Sequence, residues 1–364
     1  MRYPVFSSPM KHLQKLIPAA PQLLLALFLF VQAQPARCFE IEEHRWIGPA
    51  DGVPLRVIST TDTHILAPLI DSFLRRNPGT AVDYTVANSS QVMKAILEGE
   101  HQFDVALSSA MDLQTKLAND GYTRPYQSDA TARIPPWGEW RSHVFAFSME
   151  PASIVFSTKG FEEQEVPRTR QDLVTLLRAK PERFRGKVGT YDVSLSGLGY
   201  LFATQDARTS ETYWRLMEVI GSLRPQLFCC SAAMIESVAA GDILVAYNVL
   251  GSYARARKDL ADKIIVVDPV DYTHLMMRSA VLLRGGAQPK RAEAFVDHLV
   301  TAGWSRPLAE DFPFSPPPES LTDTTSGHRP IHLGPGLLVY LDAQKRRRFM
   351  AEWFSAVRKE GTPR

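Results

Sequence analysis

The chain has 364 residues, with 41 Lys and Arg against 39 Asp and Glu, a formal net charge of +2. At 45% hydrophobic and 22% charged residues it is globular and long enough for two core-bearing lobes, which excludes intrinsic disorder. Three cysteines are too few for a disulfide framework.

The first residues carry Arg2, Lys11 and Lys15 with no acid, then the apolar run LLLALFLFVQA ending at Val31-Gln32-Ala33. A basic start, a short apolar centre and a small-residue exit make a secretory signal peptide, expected over 1–33, with a linker over 34–53. The run is shorter than the roughly 20 apolar residues a membrane span needs, so the mature protein is expected to be periplasmic. Losing 1–33 removes three basic residues and no acid, leaving 38 basic against 39 acidic side chains. The basic excess therefore belongs to the leader, and no nucleic-acid partner is expected. Cys38 raises lipid attachment, for which Pro35-Ala36-Arg37 is a poor context.

From Leu55, LRVISTTD predicts a strand and a polar loop. A helix follows, with Ile65, Leu66, Leu69, Ile70, Phe73 and Leu74 on one face and a stop at Asn77-Pro78-Gly79. The unit repeats as AVDYTVA with NSSQVMKAILEGE and as FDVALSS with AMDLQTKLANDG. Strands alternating with helices predict an α/β fold on a mainly parallel sheet. Two β-type runs in RSHVFAFSMEPASIVFST follow, then a helix, the strand KVGTYDV, and further strand–helix units through GDILVAYNVLGSYARARKD. KIIVVDPVDYTHLMMRSAVLLRG predicts two strands, and PKRAEAFVDHLVTAGW a helix returning to the first lobe. The expected organisation is lobe 1 from 54 to 144, lobe 2 from 145 to 270, and 271–364 returning to lobe 1 with C-terminal helices. Two crossings imply a hinge and a cleft.

In open parallel sheets the carboxyl ends of the strands line the ligand crevice, and helix N-termini there offer unpaired N–H groups to anions. The expected site is therefore Thr60, Thr61 and Asp62, Ser89 and Ser90, and Ser108 and Ser109 in the first lobe. In the second lobe it is Ser194, Ser196 and Gly197 of SLSGLG, then Tyr247 and Asn248, with Tyr272 at the next crossing. As single loops these residues also read as helix caps, and Tyr247 as a core residue with a satisfied hydroxyl. Arg141 and Arg278 stand near the crossings as possible counter-charges.

Nothing assembles into an enzyme. Ser196 lacks the glycine two residues before it that a nucleophile elbow needs, and no His-Glu-x-x-His motif is present. The competing enzyme reading would use Asp62, His143 or His274 as acid or base. Cys229-Cys230 could ligate a soft metal, close a strained vicinal disulfide or fill a packed turn. Lys345 to Arg348 reads as a solvated helix surface. No metal and no cofactor are expected.

LRVISTTDTHILAPLIDSFLRRNPGTAVDY, FDVALSS, GKVGTYDVSLSGLGYLFATQD and GDILVAYNVLGSYA together resemble bacterial periplasmic solute-binding proteins of the type II class, the binding components of ABC importers. AYNVLGSYA is similar to the branch with ferric-ion, hexose-phosphate and phosphoglycerate-type binding proteins, some of which feed two-component sensors. The resemblance implies two lobes that close on a solute and present it to an ABC permease, or alternatively to a sensor kinase. Ferric members carry adjacent tyrosines just after the Asn of this loop. Here Asn248 is followed by Val249-Leu250-Gly251-Ser252-Tyr253, which disfavours Fe(III) and favours a small phosphorylated or carboxylated organic anion. A monomer is expected.

Overall fold

The computed structural model describes residues 39–99, 102–162, 166–305, 312–314 and 327–358. The expected signal peptide, Cys38 and most of FPFSPPPES lie outside them.

The first lobe alternates β1 (Glu43–Ile47), β2 (Val53–Ser59), α1 (Thr63–Arg76), β3 (Thr80–Val86), α2 (Ser89–Glu98), β4 (Val105–Ser108) and α3 (Met111–Asn119). β2 runs parallel to both neighbours, with Val53 opposite Thr80 and Val57 opposite Val105. A helical crossover after each strand returns the chain to the same sheet end, which produces this parallel set. A hairpin of β5 (Glu139–Trp140) and β6 (Val144–Ala146) follows.

Residues 147–149 then carry the chain into β7 (Glu150–Ser157), a strand of a second sheet. The second lobe holds α4 (Arg170–Ala179), α5 (Pro181–Phe184), β8 (Val188–Tyr191), α6 (Gly197–Thr209), α7 (Thr212–Ser222), β9 (Gln226–Phe228), α8 (Ser231–Ala240), β10 (Val245–Leu250), α9 (Gly251–Ala256), β11 (Ile264–Val267) and β12 (Thr273–Met276). Met277 and Arg278 cross back to β13 (Ser279–Leu282), which enters the first sheet between β4 and β6. After α10 (Pro289–Trp304), β14 (His328–Pro330) pairs with β12, and α11 (Ala343–Val357) closes the described chain.

Among the described residues the first sheet runs β1-β3-β2-β4-β13-β6-β5 and the second β14-β12-β7-β10-β8-β9, with β11 also beside β7. Both are mixed rather than mainly parallel. β7 and β13 arrive directly from the other lobe without a helical crossover and pair antiparallel with β10 and β4. The crossings lie at 147–149 and 277–278, so β12, beyond residue 270, is a second-lobe strand. KIIVVDPVDYTHLMMRSAVLLRG makes three strands, not two. The chain crosses a third time after α10. The apolar stripe Phe349, Trp353 and Val357 of α11 buries in the second-lobe core with Tyr213 and Leu216 of α7, so the closing helix belongs to that lobe.

Each lobe has its own core, Val57, Leu69, Phe73 and Phe295 in the first and Ile154, Phe184, Leu216 and Trp353 in the second. A third cluster runs through the hinge, joining Ile58 and Ala146 to Met149, Met276, Met277 and Val249.

Candidate functional site

The carboxyl ends of β2, β3 and β4 face those of β8, β9 and β10 across a cavity. The first lobe lines it with Thr60, Asp62, Asn88, Ser89 and Ser109, and the second with Tyr191, Ser196, Cys229, Cys230, Ser231 and Tyr253. Arg278 enters from the crossing strand and Glu42 from the residue before β1. Helices α1, α2, α6 and α8 all begin at this cavity. Asn88 Oδ1 caps α2 by accepting from Ser90 N and Gln91 N at 3.1 and 3.0 Å. Ser196 Oγ caps α6, accepting from Gly199 N at 3.1 Å. Asp62, opening α1, makes no side-chain cap, and Thr63 N at that helix start donates instead to Glu43 Oε2 at 3.4 Å, while Cys230 opens α8 at the cavity wall.

Arg278 is fully buried. Its Nε and Nη2 donate to the two carboxylate oxygens of Glu150 at 3.1 and 3.2 Å, and Nη1 donates to Thr61 Oγ1 at 2.6 Å. Glu150 also accepts from the hydroxyls of Ser148 and Ser252. Glu150 opens β7 and Arg278 precedes β13, so this bidentate pair ties the two hinge strands together. It holds the guanidinium in the cavity wall with two of its five N–H bonds uncommitted among the described residues. Glu42 and Asp62 face it from the rim. Burial raises both carboxyls above their ordinary range; the charge of Asp62 adds to the effect at Glu42, while His64 and Arg278 oppose it at Asp62. Burial also pushes the Cys230 thiol up to about 12.

The lobes touch directly. Gly197 N donates to Ser89 Oγ at 2.9 Å, and Ser90 Oγ donates to the Leu195 carbonyl at 3.3 Å. The first N–H of α6 is therefore spent on the opposite lobe.

Of the residues expected at the site, Thr60, Asp62, Ser89, Ser109 and Ser196 line the cavity. Thr61 is just behind it, holding Arg278. Ser90 and Gly197 sit at the lobe contact and line a neighbouring cavity with Asp112 and Arg346. Ser108 Oγ accepts from Ala110 N at 3.0 Å, and Ser194 Oγ donates to Asp192 Oδ1, both as local turn fasteners. Tyr247, Asn248 and Tyr272 are elsewhere. Tyr247 Oη and Asn248 Nδ2 both donate to Asp206 Oδ2 at 2.8 Å, inside the second lobe. Arg170 Nε donates to Tyr247 Oη at 2.7 Å, with the guanidinium carbon 3.5 Å from the Tyr272 ring centroid. The cause is local: β10 is irregular between Ala246 and Val249, and Asn248 takes a left-handed φ of 65°. The shift re-aims two side chains away from the strand's expected faces.

His274 Nε2 joins that buried cluster, 3.4 Å from Asp206 Oδ1, while His143 Nδ1 is 2.6 Å from Thr123 Oγ1 in the first lobe. Arg141 is in the β5–β6 turn over the Trp140 ring. The sequence does not assign Glu42, Asn88, Tyr191, Ser231 or Tyr253 to the site, and for the Cys229-Cys230 pair it offers a soft-metal site, a vicinal disulfide or a packed turn. Tyr191 and Ser231 carried the same strand-end signal as the residues chosen; Tyr191 Oη is 2.5 Å from Ser231 Oγ, which accepts from Leu250 N. Among the described residues no helix is long and apolar enough to cross a membrane.

A family model described as bacterial extracellular solute-binding protein matches residues 55–304. No curated protein matches the chain. Among solved structures it is similar to the substrate binding protein of the ABC transporter from Agrobacterium tumefaciens, with 29% identity over 88% of this chain and 99% of that one and a TM-score of 0.78. AfuA from Actinobacillus pleuropneumoniae, solved with exogenous fructose-6-phosphate, shares the fold at 16% identity, coverage of 84% and 98% and a TM-score of 0.65. Iron-bound HitA from Pseudomonas aeruginosa shares it at 13% identity, coverage of 84% and 99% and a TM-score of 0.61.

Proposed function

Because this chain belongs to the bacterial extracellular solute-binding proteins, we propose that it captures a small phosphorylated or carboxylated polyhydroxy compound in the periplasm and delivers it to the permease of an ABC importer. The observation that carries the ligand class is Arg278, buried in the cavity wall with two N–H bonds uncommitted among the described residues. A phosphate or carboxylate is matched by that positive end. The rest of the wall suits hydroxyls, since Glu42, Asp62 and the side chains of Thr60 and Ser109 offer acceptors for O–H donors. The Agrobacterium relative is described as part of an ABC transporter, which supports the permease as partner.

Function follows from closure. A solute that contacts both lobes stabilises the closed arrangement by contacts absent when they part, and the closed surface is what a permease reads. Binding is reversible and leaves the solute unchanged.

The test is thermal unfolding of the mature protein against sugar phosphates, phosphoglycerates, di- and tricarboxylates and Fe(III). A solute at a hundred times its Kd stabilises the native state by about 2.7 kcal/mol, enough to move the midpoint by several degrees. A shift with one organic anion, lost in an Arg278 variant that still folds, supports the reading. A shift with Fe(III) alone refutes the anion, and recovery of a chemically altered solute refutes the binding role.

A further inference from the structure

The adjacent thiols in the cleft form a second chemical site. β9 ends at Phe228 and α8 starts at Ser231, so Cys229 and Cys230 form the whole connection between them. Both side chains are exposed, both line the cavity, and their Sγ atoms are 3.1 Å apart. A disulfide needs about 2.05 Å, so rotation of the two side chains by roughly 1 Å at sulfur brings them to bonding distance. Cys230 is the extended N-cap residue of α8, with φ −152° and ψ 161°; its carbonyl accepts from Met234 N at 3.4 Å, and closing the ring moves its side chain, not that carbonyl.

We propose that Cys229 and Cys230 are a redox-modified site of the cleft, passing reversibly between a dithiol and a vicinal disulfide by exchange with a disulfide-bearing oxidant of the exported compartment. The Cys229 thiolate attacks one sulfur of the oxidant's disulfide, forming a mixed disulfide and releasing one oxidant thiolate. The Cys230 thiol, which rests protonated, then gives up its proton to solvent as its sulfur attacks Cys229 Sγ, closing the ring and releasing the second. Two electrons pass to the oxidant and two protons leave the protein pair. Adjacent residues have Cα atoms about 3.8 Å apart, below the 4.4–6.8 Å of ordinary disulfides, so the ring is strained and readily reopened by thiols. That makes it a switch rather than a brace. Closing the ring removes two S–H donors beside Ser231 and Glu42 and stiffens the entry to α8 at the cavity wall.

The test uses the exported protein carrying Cys38→Ser, so that these are its only two cysteines, reduced and then exposed to oxidised glutathione. The expected product is about 2 Da lighter, keeps no glutathione, loses both maleimide-reactive thiols, and regains them with dithiothreitol. Cys230→Ser should stall with one glutathione attached at Cys229. Two thiols that stay free, a stable glutathione adduct on the unsubstituted pair, or a disulfide-linked dimer would each overturn the proposal. The readouts involve no solute, so their outcome is independent of the binding experiment.

Discussion

Replacing Gly197 with Ala should weaken solute binding while leaving the fold intact. A Cβ at that position would sit 2.5 Å from Ser89 Oγ, 3.0 Å from Ser89 Cβ and 2.9 Å from Leu113 Cδ1, all across the lobe contact. Turning the Ser89 hydroxyl and the Leu113 side chain aside, or parting the lobes, relieves these approaches, and either movement breaks the Gly197–Ser89 hydrogen bond. Overpacking of this kind costs about 1–3 kcal/mol and the hydrogen bond about 1 kcal/mol, so the closed form loses about 2–4 kcal/mol. If the solute binds the closed form, its affinity falls roughly thirtyfold to several-hundred-fold. The open form meets no such clash, and Ala in a first helical turn is at least as stable as Gly. Calorimetric titration with the solute found by thermal unfolding measures the loss, and the ligand-free midpoint checks the fold. Ser89→Ala in the same background removes the nearest atom and should recover part of the affinity. Affinity within twofold of the parent, or a ligand-free midpoint lowered by many degrees, would refute the reasoning.

Three further outcomes follow from the same geometry. Arg278→Met strands Glu150 as a buried charge and should cost about 3–5 kcal/mol of stability, which Glu150→Gln in the same chain should largely restore without restoring solute binding; a double variant that binds normally removes Arg278 from the site. Burial holds the Asp112 carboxyl up at about 7, against about 3.9 for an ordinary aspartate. Its contribution to stability is therefore full below about pH 4 and lost as pH rises through 7, about 4 kcal/mol in all; denaturant titrations at pH 5 and 8 should differ by about 3 kcal/mol of this, and an Asp112→Asn variant with the same pH dependence would exclude Asp112 as the source. Asn248→Ala deletes a buried hydrogen bond to Asp206 and should lower stability by about 1–3 kcal/mol with solute affinity within twofold, whereas affinity lost at an unchanged thermal midpoint would return Asn248 to the cleft.

The division of labour between backbone pattern and side chain explains what could be read in advance. Period-2 and period-3.6 runs located the elements of both lobes because each buries a continuous face, as Val57 with Leu69 and Val188 with Leu216 show. Strand-end hydroxyls located the first-lobe half of the cavity, since β2, β3 and β4 follow one rule of entry and exit. The rule failed at β10, where the irregularity before Val249 turns Tyr247 and Asn248 into a buried ionic cluster; one shifted residue reverses the faces of a strand and leaves no mark on composition. Arg278 and Glu150 are 128 residues apart, so their pairing is a property of the two crossings and not of either segment.

The serines and glycines of SLSGLG carry a further lesson. A Ser-capped, Gly-rich helix start after a strand suggests a cradle for an anion, and Ser196 does line the cavity. The N–H of Gly197, however, is taken by Ser89 of the other lobe, and a Cβ on Gly199 would come within 2.3 Å of Tyr191 Cβ. Both glycines are thus required by close approach of protein to protein. In a two-lobe binder the same helix N-terminus can hold solute or partner lobe, and the partner competes for it only when the cleft is shut. Arg278, held between the hinge strands by Glu150, is then a cationic group left on the cavity wall. The sequence motif most suggestive of a ligand cradle thereby becomes the contact through which closure is felt.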